Sequence, residues 1–259
     1  MFLGKINKFQ ETSMSTSVVT YESRDGVAII TLNRPEKRNA INNEVATQLR
    51  VALERLNDGD DRVGVLTHAG AHFTGGADIK GPPEDFPGCV PNIGVPLQKP
   101  LIAAVGGWVV GGGVVIVQMC DLCIAADDAK FMFPEAKVGF TGAAIAGLAA
   151  RIPHKVAMEL MLVGNEISAE RMYQVGLVNQ LVRPGAQLNA ALVWARQLAD
   201  NAPLVLSVLR DYVGRIIPKG PSELAAQGRA AIQRIRQSAD AKEGIAGFKE
   251  KRKAKFTGK

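Results

Sequence analysis

The feature that most constrains this chain is a glycine-rich junction between an apolar strand and an apolar helix. Residues 101–105 read Leu-Ile-Ala-Ala-Val and predict a buried strand, and the run 111–113 of three glycines then predicts the start of a helix. The first N–H groups of a helix lack partners within it and lie at the positive end of its dipole. The junction therefore predicts a binding site for a negatively charged oxygen. The alternative is that the glycines only allow close packing.

A second glycine turn favours the binding interpretation. Residues 73–78 read Phe-Thr-Gly-Gly-Ala-Asp and follow another predicted strand, residues 63–67. Two such turns can each offer one backbone N–H to a single oxygen. A shared site between the turns is therefore predicted.

Length and composition limit the class of protein. The 259 residues, 47% hydrophobic and 22% charged, can form one domain or one domain with a helical appendage. No apolar run reaches the roughly 18 residues of a membrane span. The N-terminus lacks the apolar core of a signal peptide, and Met14 is an alternative start. We expect a cytoplasmic protein that does not enter the membrane.

Cysteines and histidines predict neither disulfides nor a metal site. The cysteines are odd in number and lack a zinc-binding spacing, so buried free thiols are expected at Cys89, Cys120 and Cys123. The histidines also lack ligand spacing: His68, His72 and His154.

The net charge of +6 is concentrated near the C-terminus, where residues 248–256 are densely basic. This run indicates either an anionic partner or a solvated helix end. Only 5% of the residues are aromatic, and no stripe interleaves them with basic residues. Nucleic acid is therefore not expected, and a small polyphosphate ligand fits better.

The order of predicted elements indicates an α/β fold. Strands at 18–22 and 27–33 flank Asp25-Gly26, a hairpin signal, and Asn42 or Asn43 can cap the helix that follows. Repeated strand–turn–helix units place ligands at strand ends. Later elements are helices at 156–162, 168–175, 188–199, 204–217, 224–237 and 245–253, with a strand at 177–182.

Residues 81–96 are rich in proline and glycine and predict a loop over the site. Three side chains in or near this loop are candidates to enter the pocket: His72, Asp85 and Cys89. The alternative, that they are ordinary loop or core residues, is favoured.

Four motifs occur in the order and spacing of the enoyl-CoA hydratase/isomerase (crotonase) family, which the chain resembles over nearly its whole length. They are residues 31–40 (Thr-Leu-Asn-Arg-Pro-Glu-Lys-Arg-Asn-Ala), 73–80, 111–113 and 133–135 (Phe-Pro-Glu). Residues 176–178 and 248–252 are also similar. The resemblance implies enzymes of fatty acid metabolism that act on CoA thioesters without a bound cofactor.

The resemblance also implies an architecture. The expected fold is an α/β, crotonase-like spiral of ββα turns forming two near-perpendicular sheets. Residues 1–199 would form the core with the CoA and active sites, and residues 200–259 a C-terminal helical trimerisation domain. The expected assembly is a homotrimer or a hexamer made of two trimers.

Site residues carried over from the family fall at matching positions. The two oxyanion donors would be the backbone N–H groups of Ala77 and Gly112, and Glu135 would be the acid/base; no metal is implied. The expected CoA-binding residues are Lys37, Arg38, Gly75, Ala77, Asp78, Ile79 and Phe256. The expected substrate-pocket residues are Val115, Phe133 and Gly142.

One departure from the family changes the expected reaction. Members that hydrate enoyl-CoA use two glutamates, but the first of these positions is Val115 here, and only Glu135 remains. Activating water and delivering a proton suits two carboxyls, whereas shifting a double bond needs one. Phe133 replaces a commonly polar residue, so an apolar wall should raise the pKa of Glu135. The sequence favours isomerisation over efficient hydration.

Other interpretations of Glu135 and of the whole chain stay open. Glu135 can instead cap a turn or pair with Lys137 at the surface. The chain can also be a divergent crotonase enzyme, such as a CoA-ester hydrolase or decarboxylase, or a non-catalytic acyl-CoA binder. Retention of Glu135 argues against the last of these.

Overall fold

The computed structural model describes residues 17–258 and contains two sheets. Their strands are β1 (Val19–Arg24), β2 (Val27–Leu32), β3 (Val63–His68), β4 (Leu101–Val105), β5 (Trp108–Val110), β6 (Leu122–Ala126), β7 (Lys130–Met132), β8 (Ile167–Ser168) and β9 (Gln180–Val182). The larger sheet has the order β1-β2-β3-β4-β6-β9; β1 is antiparallel to β2, and the later neighbours are parallel. β5, β7 and β8 form the smaller sheet.

The helices follow the alternating order that the sequence predicts. They are α1 (Asn43–Asp58), α2 (Gly112–Met119), α3 (Glu135–Val138), α4 (His154–Met158), α5 (Ala169–Gln174), α6 (Gln187–Asp200), α7 (Pro203–Ile216), α8 (Pro221–Gln237) and α9 (Ala239–Lys249). Short 3-10 segments lie at Pro35–Lys37, Phe86–Cys89 and Ala143–Ala150, and α4 runs into a π-helical turn at Glu159–Val163.

The larger sheet is buried on both faces, as parallel sheets are. Along β2, Ile30 belongs to the core cluster that includes Leu49 and Leu53 of α1, whereas its neighbour Ile29 belongs to the cluster that includes Ala191 of α6. Successive side chains of a strand point to opposite faces. The alternation therefore places α1 and α6 on opposite sides of the sheet.

Two local sequence signals are confirmed. Asp25 and Gly26 both have positive φ (53° and 74°), as the hairpin turn between β1 and β2 requires. The Asn42 side chain accepts a hydrogen bond from the Val45 N–H and so caps α1.

Two predicted boundaries are wrong for identifiable reasons. β9 begins at Gln180 because the N–H groups of Leu177 and Val178 bond back to the Met172 carbonyl at the end of α5. The last helix spans Ala239–Lys249 rather than 245–253. Ser238 caps its start, and Lys251 has a positive φ of 54° that ends it.

The C-terminal helices differ in how they contact the rest of the chain. α8 contacts the end of the 143–150 segment: Glu223 of α8 forms a 2.7 Å ion pair with Arg151, the residue that follows this segment. No residue of α7 is buried.

Three expectations from the sequence are not tested by the fold. The domain boundary at residue 200 and the cytoplasmic location stay predictions, and Met14 lies outside the described residues. Within the described range, no helix is both long and apolar enough to cross a membrane.

Candidate functional site

The helix α2 begins at a turn that only glycine readily forms. Gly111 has φ 54° and ψ −112°, and its N–H donates to the Met132 carbonyl at 2.8 Å. This bond continues the pairing of β5 with β7 and fixes where the helix starts. No side chain caps α2, so its first N–H groups stay available.

The two glycine turns lie side by side. Thr74 N–H donates to the Trp108 carbonyl at 2.9 Å, and Val110 N–H donates to the Thr74 carbonyl at 3.1 Å. The loop of residues 73–78 therefore runs along β5, next to the start of α2. The structure brings together the two turns that the sequence analysis singled out.

Each turn contributes a backbone N–H without an acceptor. Between residues 17 and 258, no oxygen accepts from the N–H of Ala77 or of Gly112. Ala77 is exposed, while both of its neighbours bond to Ile41: Gly76 through its carbonyl and Asp78 through its N–H. The arrangement leaves two fixed donors on adjacent turns. Such donors stabilise negative charge that develops on an oxygen.

Glu135 lies against the same turn. It is the first residue of α3, three residues after β7 ends, and is half-buried. A Cβ atom placed on Gly111 would be 2.6 Å from Glu135 Oε1. Glu135 Oε2 is buried and meets no hydrogen-bond donor in the described part of the chain. A carboxyl group therefore stands directly beside the start of α2.

Burial raises the pKa of Glu135 to about 7, and its own backbone N–H offsets this only in part. The predicted direction of the shift is confirmed. The alternative of a surface pair with Lys137 is not observed, because Lys137 Nζ contacts Asn165 Oδ1 at 3.1 Å. A carboxyl with a pKa near 7 exchanges protons readily at neutral pH.

The predicted pocket residues occupy different environments. Val115, on the first turn of α2, and Phe133 are buried at 3% and 4% exposure, and Gly142 is exposed. A further residue, Phe86, was missed by the sequence analysis. Its ring packs on the start of α2, where a Cβ on Gly112 would be 2.7 Å from ring atoms Cε2 and Cζ. Only a long-range contact places Phe86 here, so no local motif could reveal it.

The three residues of the predicted loop region have structural roles, as the favoured alternative held. His72 Nδ1 accepts from the Trp108 N–H at 3.2 Å, and Asp85 caps the Phe86–Cys89 turn through the Gly88 N–H. Cys89 is buried, and burial raises the pKa of its thiol to about 12. Cys123 is also buried, whereas Cys120 is only partly so. In the described range, no group of His, Cys, Asp and Glu side chains could hold a metal.

Several predicted CoA-binding residues lie together. Lys37 and Arg38 are exposed, and the Gly75 N–H donates to the Arg38 carbonyl at 2.8 Å. Ile79 is 95% exposed. The structure therefore joins the basic residues before α1 to the loop that carries Ala77.

The carboxylate of Asp78 bonds to two other groups of the chain. Its carboxylate forms a 2.6 Å ion pair with Arg34 and accepts from the Lys80 N–H. The Arg34 guanidinium holds the pKa of Asp78 below its usual value. Asp78 therefore links the loop of Ala77 to the segment before α1.

The basic C-terminal segment folds back along α9. Arg252 pairs with both Glu243 and Glu250, and Asp240 accepts from the N–H groups of Thr257 and Gly258. Four of these residues, Asp240, Glu243, Arg252 and Thr257, help to line a surface cleft of about 560 Å³. The ring of Phe256 lies beside Gly244 and is 65% exposed. Part of the basic charge is thus neutralised within the segment.

The fold and the site define a class of protein in which two glycine turns and one half-buried carboxyl meet at the ends of parallel strands. The sequence model of the enoyl-CoA hydratase/isomerase family matches residues 22–87 and 94–259. The chain belongs to this family and is an enzyme of the enoyl-CoA hydratase/isomerase type.

Individual relatives agree with this assignment. An (E)-benzylidenesuccinyl-CoA hydratase of Thauera aromatica is 36% identical over 93% of this chain and 99% of its own length. A 2,3-dehydroadipyl-CoA hydratase of Escherichia coli is 32% identical over 95% of this chain and 100% of its own. The crystal structure of a probable enoyl-CoA hydratase/isomerase from Mycobacterium abscessus is 37% identical, covers 94% of this chain and 100% of its own, and superposes with a TM-score of 0.72.

Proposed function

We propose that the chain polarises the carbonyl of an enoyl-CoA thioester with the N–H groups of Ala77 and Gly112, and that Glu135 moves the proton. The single observation that carries the proposal is the contact of Glu135 with the turn that presents Gly112. A carbonyl oxygen between the two donors would put the thioester beside a carboxyl whose pKa is about 7.

In this mechanism the Glu135 carboxylate takes a proton from C2 of a 3-enoyl-CoA. The electron pair moves into the carbonyl, and the resulting enolate oxygen is held by the two N–H groups. The protonated Glu135 then returns the proton to C4, which moves the double bond to C2–C3. One carboxyl suffices because the same proton leaves and returns.

Val115 favours this reaction over hydration. It stands where hydrating members of the family carry their first glutamate, and its buried side chain cannot bind or activate water. The relatives named as hydratases favour a second candidate, the addition of water to a 2-enoyl-CoA. In that reaction Glu135 alone would have to activate the water.

The exposed apolar face of α7 supports assembly as a homotrimer or hexamer. Seven large apolar side chains of this helix are 47–81% exposed: Leu204, Val205, Val208, Leu209, Tyr212, Val213 and Ile216. A face of this kind on a single chain marks an interaction surface. We propose that α7 and the helices after it form the contacts between copies.

Turnover of 2-enoyl-CoA and 3-enoyl-CoA substrates of several chain lengths tests the proposed reaction. We expect conversion of 3-enoyl-CoA to exceed hydration of 2-enoyl-CoA. Faster hydration would favour the second candidate. A protein inert toward all enoyl-CoA substrates, but able to cleave or decarboxylate another CoA ester, would overturn both.

A further inference from the structure

One threonine of the 73–78 glycine turn also contacts the first turn of α2. Thr74 is fully buried, at 0% exposure, and its backbone pairs with Trp108 and Val110 of β5. Burying a hydroxyl costs free energy unless its hydrogen bonds are replaced. The partners of this hydroxyl therefore indicate what its burial holds in place.

The hydroxyl of Thr74 fixes the turn that carries Ala77. Thr74 Oγ1 donates to the Asn39 carbonyl at 2.7 Å and accepts from the Gly76 N–H at 3.1 Å. Gly76 immediately precedes Ala77 and has a φ of 92°. The hydroxyl thus holds the peptide group next to the Ala77 N–H.

Asn39 is itself held rigidly, so it can serve as an anchor. It is 1% exposed, has a positive φ of 52°, and its side-chain amide donates to the carbonyls of Ala69 and His72 at 2.9 and 2.8 Å. Its Oδ1 accepts from the Arg34 N–H at 2.7 Å. A satisfied buried network of this kind specifies one geometry.

The methyl group of Thr74 contacts the other turn. A Cβ atom added to Gly113 would overlap Thr74 Cγ2, so the methyl packs directly on the first turn of α2. Gly113 follows Gly112 in the chain. One side chain therefore contacts the neighbour of each N–H donor: Gly76 through the hydroxyl and Gly113 through the methyl.

We propose that Thr74 is a positioning residue that sets the relative placement of the Ala77 and Gly112 N–H groups. The proposal rests on the proposed function, in which these two groups bind the thioester oxygen together. Thr74 does not touch the substrate. It acts through the backbone on both sides of it.

The test compares Thr74→Val, which removes the hydroxyl and keeps the size, with Thr74→Ser, which keeps the hydroxyl. We expect Thr74→Val to lower kcat about 10- to 100-fold with little change in KM, since misplacing a catalytic group by about 1 Å can cost 10²-fold. Thr74→Ser should retain more of kcat than Thr74→Val, because both hydroxyl bonds remain and only the methyl contact with Gly113 is lost.

A matched control is Thr67→Val. Thr67 is also buried, at 2% exposure, and its hydroxyl donates to the Ala104 carbonyl at 3.2 Å within the sheet. Neither Thr67 nor its partner Ala104 belongs to a glycine turn. A comparable loss of thermal stability in both valine variants, with loss of kcat only in Thr74→Val, supports the proposal. Equal loss of kcat in both variants would overturn it.

A spectroscopic readout separates positioning from folding. A saturated acyl-CoA with ¹³C at the thioester carbonyl is bound to each variant, and the carbonyl stretching frequency is measured by difference infrared spectroscopy. The parent should lower this frequency relative to free ligand, and Thr74→Val should lower it less. An unchanged frequency and an unchanged kcat in Thr74→Val would refute the role of Thr74.

Failure of the proposed function can be distinguished from failure of the role of Thr74 alone. If the parent itself neither turns over enoyl-CoA nor shifts the carbonyl frequency, the proposed function fails, and the role of Thr74 fails with it. If the parent does both, only the Thr74 variants decide. Should Thr74→Val not fold, Thr74→Ala and Thr74→Ser replace it, because this pair differs by the hydroxyl alone. Equal kcat in these two would overturn the proposal.

Discussion

Glu135 and Gly111 lie in direct contact: a Cβ at residue 111 would be 2.6 Å from Glu135 Oε1. Gly111 also has a φ of 54°, so its lack of a side chain serves both the turn and the carboxyl. The next glycine faces a different group, since a Cβ on Gly112 would meet the ring of Phe86. Glu135 and Phe86 therefore contact adjacent residues of the turn that starts α2.

The first prediction concerns Gly111→Ala. The added methyl should displace the Glu135 carboxyl and strain the turn by about 1–3 kcal/mol, because a non-glycine residue is held at positive φ. We expect a large loss of kcat, measured on 3-enoyl-CoA, in a protein that still folds. Gly185→Ala is the control, since Gly185 also has a positive φ, of 84°, and in the described range no atom beyond its chain neighbours lies within 4 Å of its added Cβ. Activity in Gly111→Ala equal to that of Gly185→Ala would show that Glu135 need not lie where it does.

The second prediction concerns Glu135→Gln. Glutamine keeps the shape of the side chain but cannot accept and return a proton, so turnover should fall about 10²- to 10⁴-fold, the usual contribution of general acid–base catalysis. Steady-state kinetics with 2-enoyl-CoA and 3-enoyl-CoA provide the measurement. Undiminished turnover in Glu135→Gln would remove Glu135 from the mechanism.

The pH profile of the parent adds a second check on Glu135. Its pKa is raised to about 7, so the carboxyl is protonated and inactive as a base well below pH 7. We expect kcat/KM for 3-enoyl-CoA to rise with pH through about 7 and then level off. A profile already flat from pH 5 would contradict a base with this pKa.

The third prediction concerns Val115→Glu. This change supplies a second carboxyl on the first turn of α2, so hydration of 2-enoyl-CoA should increase. The gain will be modest if the two carboxyls raise each other's pKa and titrate as a coupled pair. Val115→Gln is the matched control, since it adds a polar group of similar size without a proton to exchange. Equal hydration by the two variants would count against a missing second carboxyl.

The fourth prediction concerns Gly112→Pro. Proline removes the N–H group and is well tolerated at the first position of a helix, where no intrahelical bond is lost. The expected cost is about 2.7–4 kcal/mol in the activation barrier, as for loss of one oxyanion donor. The variant is made together with Phe86→Ala, because the ring occupies the space that a Cβ would need. Phe86→Ala alone is the reference. Turnover within about threefold of that reference would refute the role of the Gly112 N–H.

The fifth prediction concerns α7. Glutamates at Leu204 and Ile216, which are 81% and 80% exposed, should prevent copies of the chain from associating, because charge disfavours burial in an apolar interface. Sedimentation should then show single chains where the parent forms trimers. Val51→Glu, on the 56% exposed side chain of α1, is the control and should leave assembly unchanged. A parent that sediments as a single chain would refute the proposed assembly.

Local sequence signals predicted much of the fold because short-range chemistry specifies it. Asp25-Gly26 can adopt the two positive φ angles of a tight hairpin, and Asn42 can accept the N–H that α1 leaves free. The apolar run at 101–105 became the fully buried β4. The resemblance to a family, carried by motifs along the whole chain, supplied the overall α/β architecture.

The candidate site was predictable only in part. The sequence identified Gly112, Ala77 and Glu135 from their motifs, but each motif describes a single turn. The contact of the Glu135 carboxyl with Gly111, and its partial burial, depend on the pairing of β5 with β7, which is a long-range contact. Its raised pKa has burial as the principal cause, and burial is set by the surrounding fold.

Only the tertiary structure decided which side chains support the site. Asn39, Thr74 and Phe86 lie in three separate segments. Asn39 and Thr74 belong to the motifs at 31–40 and 73–80, but neither motif shows that Thr74 contacts Asn39 and Gly113, or that Phe86 packs on Gly112. Their contacts follow from the parallel order of β2, β3 and β4, which brings the ends of distant strands to one edge. The sequence, through its resemblance to a family, was enough to propose the two N–H donors and the carboxyl. The packing of the strands determined what holds them in position.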